Sequence, residues 1–371
     1  MTAILSSPLQ AWHQRQNARM VEFAGMSLPI QYPSGIKTEH LAARASAALF
    51  DISHMVQISL SAQSGIQTVL EGLSAIFPID FQKFLCGQTR YSFLLNDHGG
   101  ILDDVMVSHA GDRVIIVANG ARRGHDPDFL RQKLSTDIDL EVLNNQAFLA
   151  LQGPNAAQAL TQLLPEAGDL VFMQTRELFW RDTLIRVFRQ GYSGEDGFEI
   201  SLPAAIAEEF VESLVGVTPA GLGARDSLRL EAGLPLWGQD VTPETTPLEA
   251  NLGFAIAKAR RISAGFFGAE TLIPQCATPP ERSLVGLKFS GKQPARAGTM
   301  IHQSDDPDSS ILGVVTSGGV SVSLGCPIAL AMLQRGQAAP NTEVFAQVRG
   351  KMLPAIVTPL PFVPHRYYRG K

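Results

Sequence analysis

Two adjacent carboxylates open an apolar segment of the chain and could carry acid–base or electrostatic chemistry. Asp103 and Asp104 follow Gly-Gly-Ile-Leu and precede Val105. Because successive strand residues face opposite sides, we expect the two side chains to occupy different environments, one solvated and one turned inward. Both acids could simply close a turn, as Asp beside Gly-Gly often does. Alternatively, one carboxylate lies against a basic nitrogen of a ligand, where it stabilises developing positive charge or relays a proton.

A second acidic group lies in the segment GYSGEDGFE, residues 191–199. Glu195 and Glu199 flank Asp196-Gly197, a turn pattern followed by a strand-like run. A carboxylate can accept both N–H donors of a pterin edge in bidentate fashion. Glu199 falls in the strand-like part and is the better candidate for that role, whereas we interpret Glu195 and Asp196 as turn residues.

Two arginines lie four residues apart in ARDSLRLEA, residues 224–232, which we predict to be helical. Arg225 and Arg229 would share one helix face. Such faces are usually solvated or internally paired, but two arginines could equally clamp the carboxylate tail of a ligand. The spacing alone favours neither interpretation.

Three familiar signatures, two for nucleotide binding and one for serine hydrolases, are not supported by the sequence. Gly221-Leu222-Gly223 begins like a dinucleotide loop, but Asp226 occupies the third glycine position, and no GxxxxGK[ST] sequence occurs. Ser193 lies in GYSGE, which departs from the GxSxG elbow at Glu195. The sequence therefore indicates neither Rossmann, P-loop nor serine hydrolase chemistry.

Apolar periodicity predicts the elements that must position these residues. Strand patterns occur at Val105–Val107, Arg113–Ala118, Ala147–Leu151, Leu184–Phe188 and Phe198–Leu202. Helical patterns occur at Ala156–Leu164, Pro203–Leu214 and Ala224–Ala232. Beyond Pro274, short apolar runs punctuated by Gly and Pro are typical of a small β-barrel, namely Leu284–Phe289, Leu312–Thr316, Glu343–Val348 and Ala355–Val357. We place a domain boundary near Cys276.

The composition is that of a packed globular protein. Of 371 residues, 45% are apolar and 18% charged, and the formal charge of −5 gives no basic field for nucleic acid. Cys86, Cys276 and Cys326 lie far apart with no zinc-like spacing, so we expect neither a metal nor a disulfide. No apolar run reaches the ~18 residues of a membrane span. We expect a cytoplasmic protein without membrane contact, or a mitochondrial matrix protein in a eukaryote.

Read together, the motifs resemble the aminomethyltransferase family, the T-proteins of the glycine cleavage system, over nearly the whole chain. Their order and number make the resemblance specific. The motifs are SPLQAWH, MVEFAG, LFDISHM, Tyr91-Ser92, GGILDD, LALQGP, GYSGEDGFEI, GLGARDSLRLEAG, GQD, TTPLE, VTSG and the terminal PFVPHRYY.

The resemblance implies an α+β fold of three lobes, with mixed and antiparallel sheets. Residues 1–276 would form a folate-binding region of two interwoven lobes, and residues 277–371 a C-terminal β-barrel. It implies a catalytic role for Asp104 and folate contacts by Glu199, Arg225 and Tyr367. Cavity-lining residues would be Met55, Tyr91, Asn119 and Tyr192.

The activity implied by the resemblance is a folate-dependent transfer in glycine catabolism. An aminomethyl group on the lipoyl arm of H-protein would lose ammonia. Its methylene would pass to the co-substrate tetrahydrofolate, giving 5,10-methylenetetrahydrofolate and dihydrolipoyl H-protein. No metal is implied.

Two alternatives stay open at this point. A related enzyme could demethylate a sulfonium or N-methyl compound with folate as acceptor, although GGILDD and GYSGEDGFE match the aminomethyltransferase pattern better. A non-catalytic folate-binding accessory protein for iron–sulfur assembly would carry a KGCYxGQE-like segment. Cys86 lies instead in FLCGQTRYS.

Overall fold

The computed structural model describes residues 4–370. Nine α-helices and twenty strands lie within this range. The strands are β1 Leu5–Ser6, β2 Arg19–Phe23, β3 Met26–Gln31, β4 Ala48–Asp51, β5 Val56–Ala62, β6 Thr89–Leu95, β7 Ile101–His109, β8 Val114–Ala118, β9 Ile138–Val142, β10 Gln146–Gln152, β11 Gln174–Trp180, β12 Thr183–Arg189, β13 Gly197–Pro203, β14 Thr218–Ala220, β15 Arg282–Phe289, β16 Met300–His302, β17 Ile311–Val320, β18 Pro327–Gln334, β19 Glu343–Val348 and β20 Lys351–Thr358. The helices are α1 Gln10–Arg15, α2 Ile36–Ala45, α3 Ile66–Ser74, α4 Asp126–Lys133, α5 Ala156–Thr161, α6 Ala207–Ser213, α7 Leu222–Glu231, α8 Lys258–Ser263 and α9 Ala269–Ala277.

The chain divides into two compact units that interleave in sequence. Of the described residues, the first unit contains 4–93, 103–225 and 366–370, and the second contains 94–102 and 226–365. The chain therefore returns to the first unit at its C-terminal end. The domain boundary near residue 276 stays a prediction.

A six-stranded sheet carries the main core of the first unit. Its strand order is β11-β12-β13-β10-β4-β14, antiparallel except for the β14–β4 pair. Leu149, Leu151, Val187 and Ile200 are buried in the same apolar cluster. Because β10 is buried along nearly its whole length, it is a continuous apolar run and not an alternating one.

A five-stranded sheet, ordered β6-β7-β8-β5-β9, positions the carboxylate pair. Strands β7 and β8 are antiparallel, with Met106 opposite Val117 and Val107 opposite Ile116. This confirms the two predicted strands. Continued by two residues, the same register places Asp104 opposite Asn119, the residue that follows β8.

The second unit contains a closed six-stranded barrel, ordered β15-β18-β17-β16-β19-β20. Leu287, Ala331, Leu333 and Val344 are buried in its interior. All four predicted barrel runs are strands, and β16 and β18 complete the closure. The predicted α+β class with a C-terminal barrel is confirmed.

A buried polar network connects the N-terminal segment to the six-stranded sheet. Asp51, at the end of β4, accepts hydrogen bonds from the Ser7 hydroxyl and from the backbone N–H of Ser53. Nε2 of His13 lies 2.8 Å from Asp51 Oδ2, and its Nδ1 lies 2.8 Å from the Tyr32 hydroxyl. The network therefore ties four chain segments to one carboxylate.

The Asp51 carboxylate contributes pH-dependent stability. Burial disfavours its charge, but the bonds from His13, Ser53 and Ser7 outweigh that effect and hold its pKa below the usual range. A lowered folded-state pKa stabilises the fold above the unfolded-state value, and this contribution is lost as the pH falls through the folded-state value.

We expect Asp51→Asn to lower the free energy of unfolding at pH 7 by about 3 kcal/mol, because it breaks a buried charge network. The difference from wild type should shrink as the pH falls below about 4. Urea unfolding at a series of pH values measures this dependence. If the free energies of unfolding of Asp51→Asn and wild type differed as much at pH 3 as at pH 7, the negative charge assigned to Asp51 would be wrong.

Candidate functional site

The two carboxylates of β7 differ in exposure, as their adjacent strand positions require. Asp103 is fully buried, whereas Asp104 is partly exposed. The Tyr91 hydroxyl on β6 donates a hydrogen bond to Asp104 Oδ2 at 3.0 Å. The inward residue of the pair is therefore Asp103, and Asp104 is the one that a ligand could reach.

Asn119 nevertheless connects the two acids, against the expectation that they share no environment. Its backbone N–H donates to Asp103 Oδ2 at 2.9 Å, and its side-chain amide donates to Asp103 Oδ1 at 2.8 Å. The same amide nitrogen lies 2.9 Å from Asp104 Oδ1. Asn119 contacts both acids because its backbone N–H and its side-chain amide are both donors.

Asp126, at the start of α4, is a third buried acid that the sequence patterns did not reveal. It is fully buried and pairs with Arg122 Nε at 3.1 Å. Burial raises the pKa of Asp103, and the neighbouring Asp126 carboxyl raises it further. Asp103 and Asp126 are two buried carboxyls that keep a proton bound between them, because close carboxyls resist ionising together.

These surroundings place the titration of Asp104 near neutral pH. Burial raises the pKa of Asp104 to about 7, with a further contribution from Asp103, while the bonds from Tyr91 and Asn119 oppose the rise. A carboxyl that titrates near 7 can both stabilise positive charge and exchange protons at physiological pH. The surroundings of Asp104 thus allow both roles considered for the acid pair, stabilising positive charge and relaying a proton.

Glu199 lies on β13 and is 6% exposed. The Gln190 side-chain amide donates to Glu199 Oε2 at 2.7 Å. Burial raises the pKa of Glu199, whereas Arg225 and Gln190 favour its charged form. Gln190 was not predicted as a site residue, and no local signal in the sequence distinguished it.

Arg225 lies near the start of α7, in the part of that helix that belongs to the first unit, and it supplies a positive charge near Glu199. Its guanidinium carbon lies 5.0 Å from the centre of the Tyr192 ring. Burial lowers the pKa of Arg225, and the nearby Glu199 and Tyr192 raise it. Arg225, Glu199 and Tyr192 therefore lie close together, and their contact with a ligand stays a prediction.

Arg229, one turn later, has a different function from Arg225. It is buried in the second unit, with Nη1 2.6 Å from Asp240 and Nε 2.8 Å from Asp226. Its Nη2 donates to the Ser317 hydroxyl at 2.9 Å. Of the two alternatives for the arginine pair, internal pairing holds for Arg229.

Gln152 of the LALQGP motif shapes the backbone of the GYSGEDGFE segment. Its side-chain amide donates to the Gln190 carbonyl at 3.1 Å, and its Oε1 accepts from the Ser193 hydroxyl at 2.6 Å. A Cβ at Gly191 would lie 1.8 Å from Gln152 Oε1. A side chain at position 191 would therefore displace the Gln152 amide from these hydrogen bonds.

The other predicted site residues also lie in the first unit. Met55 is partly buried in the connection between β4 and β5. Tyr367 stacks on Phe172, with ring centres 4.0 Å apart and planes within 6°. Burial raises the pKa of the Tyr91 hydroxyl, and the nearby Asp104 and Tyr192 raise it further.

The first unit thus contains a partly exposed acid whose pKa is raised to about 7 and a buried acid near an arginine, which are groups that enzyme sites commonly use. Comparisons with known proteins identify the family. Residues 9–260 match the GCVT N-terminal domain, and residues 282–364 match the glycine cleavage T-protein C-terminal barrel domain.

Whole-chain relatives agree with these domain matches. The mitochondrial aminomethyltransferase of Gallus gallus is 39% identical, covering 98% of this chain and 94% of that protein. The aminomethyltransferase of Deinococcus deserti is 38% identical, covering 97% of each. The crystal structure of the glycine cleavage system aminomethyltransferase T from Bartonella henselae is 40% identical, with TM-score 0.91, over 99% of this chain and 100% of that one.

The chain belongs to the glycine cleavage T-protein family, and it is a transferase, an aminomethyltransferase of that system. The predicted family and enzyme class are confirmed. The demethylase and accessory-protein alternatives are not favoured by these relatives.

Within residues 4–370, no helix is both long and apolar enough to cross a membrane. Over the same range, no cluster of three or more His, Cys, Asp and Glu side chains has the arrangement of a metal site.

Removal of the Tyr91 hydroxyl should change the pH dependence of aminomethyl transfer. Its hydrogen bond lowers the pKa of Asp104, and a bond to a charged group contributes roughly 1.5 kcal/mol, or about one pKa unit. We expect Tyr91→Phe to move the rise in kcat/KM near pH 7 upward by about one pH unit. An unchanged midpoint in the pH–rate profile would show that Asp104 ionisation does not limit the reaction.

Proposed function

We propose that this chain transfers the methylene of an aminomethyl group from the lipoyl arm of H-protein to tetrahydrofolate. Ammonia and dihydrolipoyl H-protein are released, and 5,10-methylenetetrahydrofolate forms. The two N–H protons lost by tetrahydrofolate balance the new thiol and the departing ammonia. The observation that carries the proposal is the Asp104 carboxyl, held by Tyr91 and Asn119 and titrating near neutral pH.

Asp104 acts on the carbon that becomes electron-poor when ammonia leaves. An S–CH2–NH2 carbon losing ammonia develops positive charge, and a fixed carboxylate in a site of low dielectric stabilises that charge strongly. The bonds from Tyr91 and Asn119 hold the carboxylate in place before the reaction begins. No reorganisation of the acid is then required during the transfer.

Glu199, Arg225 and Tyr367 bind the folate in this proposal. The Glu199 carboxylate accepts the two N–H donors of the pterin edge, and Gln190 fixes its orientation at 2.7 Å. Arg225 favours the ionised form of Glu199. Met55, Tyr192 and Tyr91 form the surrounding wall.

Purified protein incubated with aminomethylated H-protein and tetrahydrofolate should release ammonia and form methylenetetrahydrofolate in equal amounts. Both products can be quantified in one reaction. No folate-dependent ammonia release with a competent H-protein would exclude the proposed function.

Asp104→Asn should keep folate affinity within about twofold while lowering kcat by roughly 10²–10³, the usual effect of removing one preorganised electrostatic group. Asp139→Asn is a matched control, since Asp139 is an exposed acid on β9 of the same sheet. Steady-state kinetics with direct folate binding separates the two effects. Normal turnover by Asp104→Asn would exclude the assigned role.

Glu199→Ala should act on binding rather than on turnover. Loss of a hydrogen-bonding carboxylate costs about 1.5–3 kcal/mol, so the Kd for tetrahydrofolate should rise by roughly 10- to 100-fold. Glu199→Gln separates charge from shape, because its amide keeps one acceptor oxygen. If the Kd is unchanged in both variants, Glu199 does not hold the ring.

A further inference from the structure

The C-terminal segment, residues 366–370, lies on the turn of the GYSGEDGFE motif. The Arg366 backbone N–H donates to the Gly194 carbonyl at 2.8 Å. Arg366 and Glu195 also form a parallel β-bridge. Further along, the Phe172 N–H donates to the Tyr368 carbonyl at 2.7 Å. Backbone bonds on both sides of Tyr367 thus place its side chain.

A buried ion pair strengthens this attachment. Glu195 is 1% exposed, and its Oε1 accepts from Arg44 Nη1 at 2.7 Å and from Arg366 Nη2 at 2.5 Å. Arg44 is itself buried and also donates to the Ser193 carbonyl at 2.8 Å. The interpretation of Glu195 as an ordinary turn acid is therefore wrong, since its partners lie 151 and 171 residues away along the chain.

Asp196 makes the second attachment from the same turn. Arg189 binds its two carboxylate oxygens at 3.1 and 2.6 Å. The Tyr368 N–H lies 3.3 Å from Asp196 Oδ1, and the Arg189 guanidinium lies 4.2 Å from the centre of the Tyr368 ring. Both acids between Gly194 and Gly197 thus have the C-terminal segment as a partner.

Tyr367 lies between these two attachments. Its ring stacks on Phe172 at 4.0 Å, and burial raises the pKa of its hydroxyl to about 12. Arg44 and Glu195 act on the same hydroxyl electrostatically. The ion pair therefore lies near the Tyr367 side chain as well as on the backbone that carries it.

We propose that Glu195 is a positioning residue for the folate site: through Arg44 and Arg366 it holds the C-terminal segment so that Tyr367 completes the site. This inference rests on the proposed function, because Tyr367 is assigned there as a folate contact. It gives the two acids of the motif separate functions, with Glu199 contacting the folate and Glu195 holding a second contact in place.

Arg366→Gln is the decisive variant. Its side chain is half exposed, and Glu195 keeps Arg44 as a partner, so we expect the variant to fold. The Kd and KM for tetrahydrofolate should rise about tenfold, equivalent to about 1.4 kcal/mol, with kcat at saturating folate within about twofold of wild type. Hydrogen exchange of the amides at 366–370 should accelerate in the unliganded protein.

Glu195→Gln should produce a larger rise in Kd, since both guanidinium groups then lose their shared acceptor. The matched control is Arg349→Gln, which removes an equally charged but exposed side chain from the turn between β19 and β20. That control should bind folate as wild type does. If Glu195→Gln fails to fold, the folate Kd of Arg366→Gln alone decides whether the ion pair supports folate binding.

Two results would overturn the inference in different ways. Faster exchange at 366–370 in Arg366→Gln with an unchanged folate Kd would show that the ion pair only fastens the chain end. A wild-type protein that binds no tetrahydrofolate would overturn the proposed function as well. The exchange measurement would then still report whether the ion pair holds the segment.

Discussion

The burial of carboxyl groups is the constraint on which the first unit depends. A desolvated carboxylate is costly unless donors or cations surround it, and here those partners come from distant parts of the chain. Asp51 draws His13 against the end of β4. Glu39 on α2 accepts the backbone N–H groups of Tyr32 and Gly221, at 2.5 and 2.9 Å. Each acid thereby fixes the packing of segments that local propensity alone would leave independent.

The burial of carboxyl groups also raises the pKa values of the acids on and near β7. Three acids, Asp103, Asp104 and Asp126, lie close together, and the cation paired with this group is Arg122. Like charges at short range in a desolvated place cannot all ionise, so protons stay bound up to neutral pH. Asn119 can donate to two of the acids but neutralises neither. Asp104 is the partly exposed member of the three. Its carboxyl, whose pKa is raised, is therefore the one that a ligand can reach.

Periodicity in the sequence predicted nine of the twenty strands and three of the nine helices in residues 4–370, because in these elements the apolar positions follow the pleat or the helix turn. The runs in β7, β8, β10, β12 and β13 are all strands. Strand β18, PIALAMLQ, was missed; like β10 it is a continuous apolar run, which periodicity alone does not distinguish from a buried helix segment. Strand β16 has three residues, too few for any period.

The roles assigned to the site residues came mainly from the resemblance, and they stay predictions. The i,i+4 spacing of Arg225 and Arg229 correctly suggested a shared helix face but not their different partners. Arg225 interacts with Tyr192, while Arg229 is saturated by Asp240 and Asp226. Those partners are set by tertiary contacts, which local spacing does not contain.

The GYSGEDGFE segment shows how backbone position separates acids of one short motif. Glu195 precedes β13, in the turn, where its side chain is free to point back to the cation on α2. Glu199 lies within the strand, where the pleat fixes its direction and Gln190 and Arg225 become its neighbours. Although they are only four residues apart, Glu195 contacts the C-terminal segment, whereas Glu199 lies near Arg225. An acid held this rigidly suits the recognition of a flat donor edge, whereas the reacting carbon requires an acid whose charge can change near neutral pH. In the proposed function Asp104 meets that second requirement, and the two carboxylates have different roles because their environments differ.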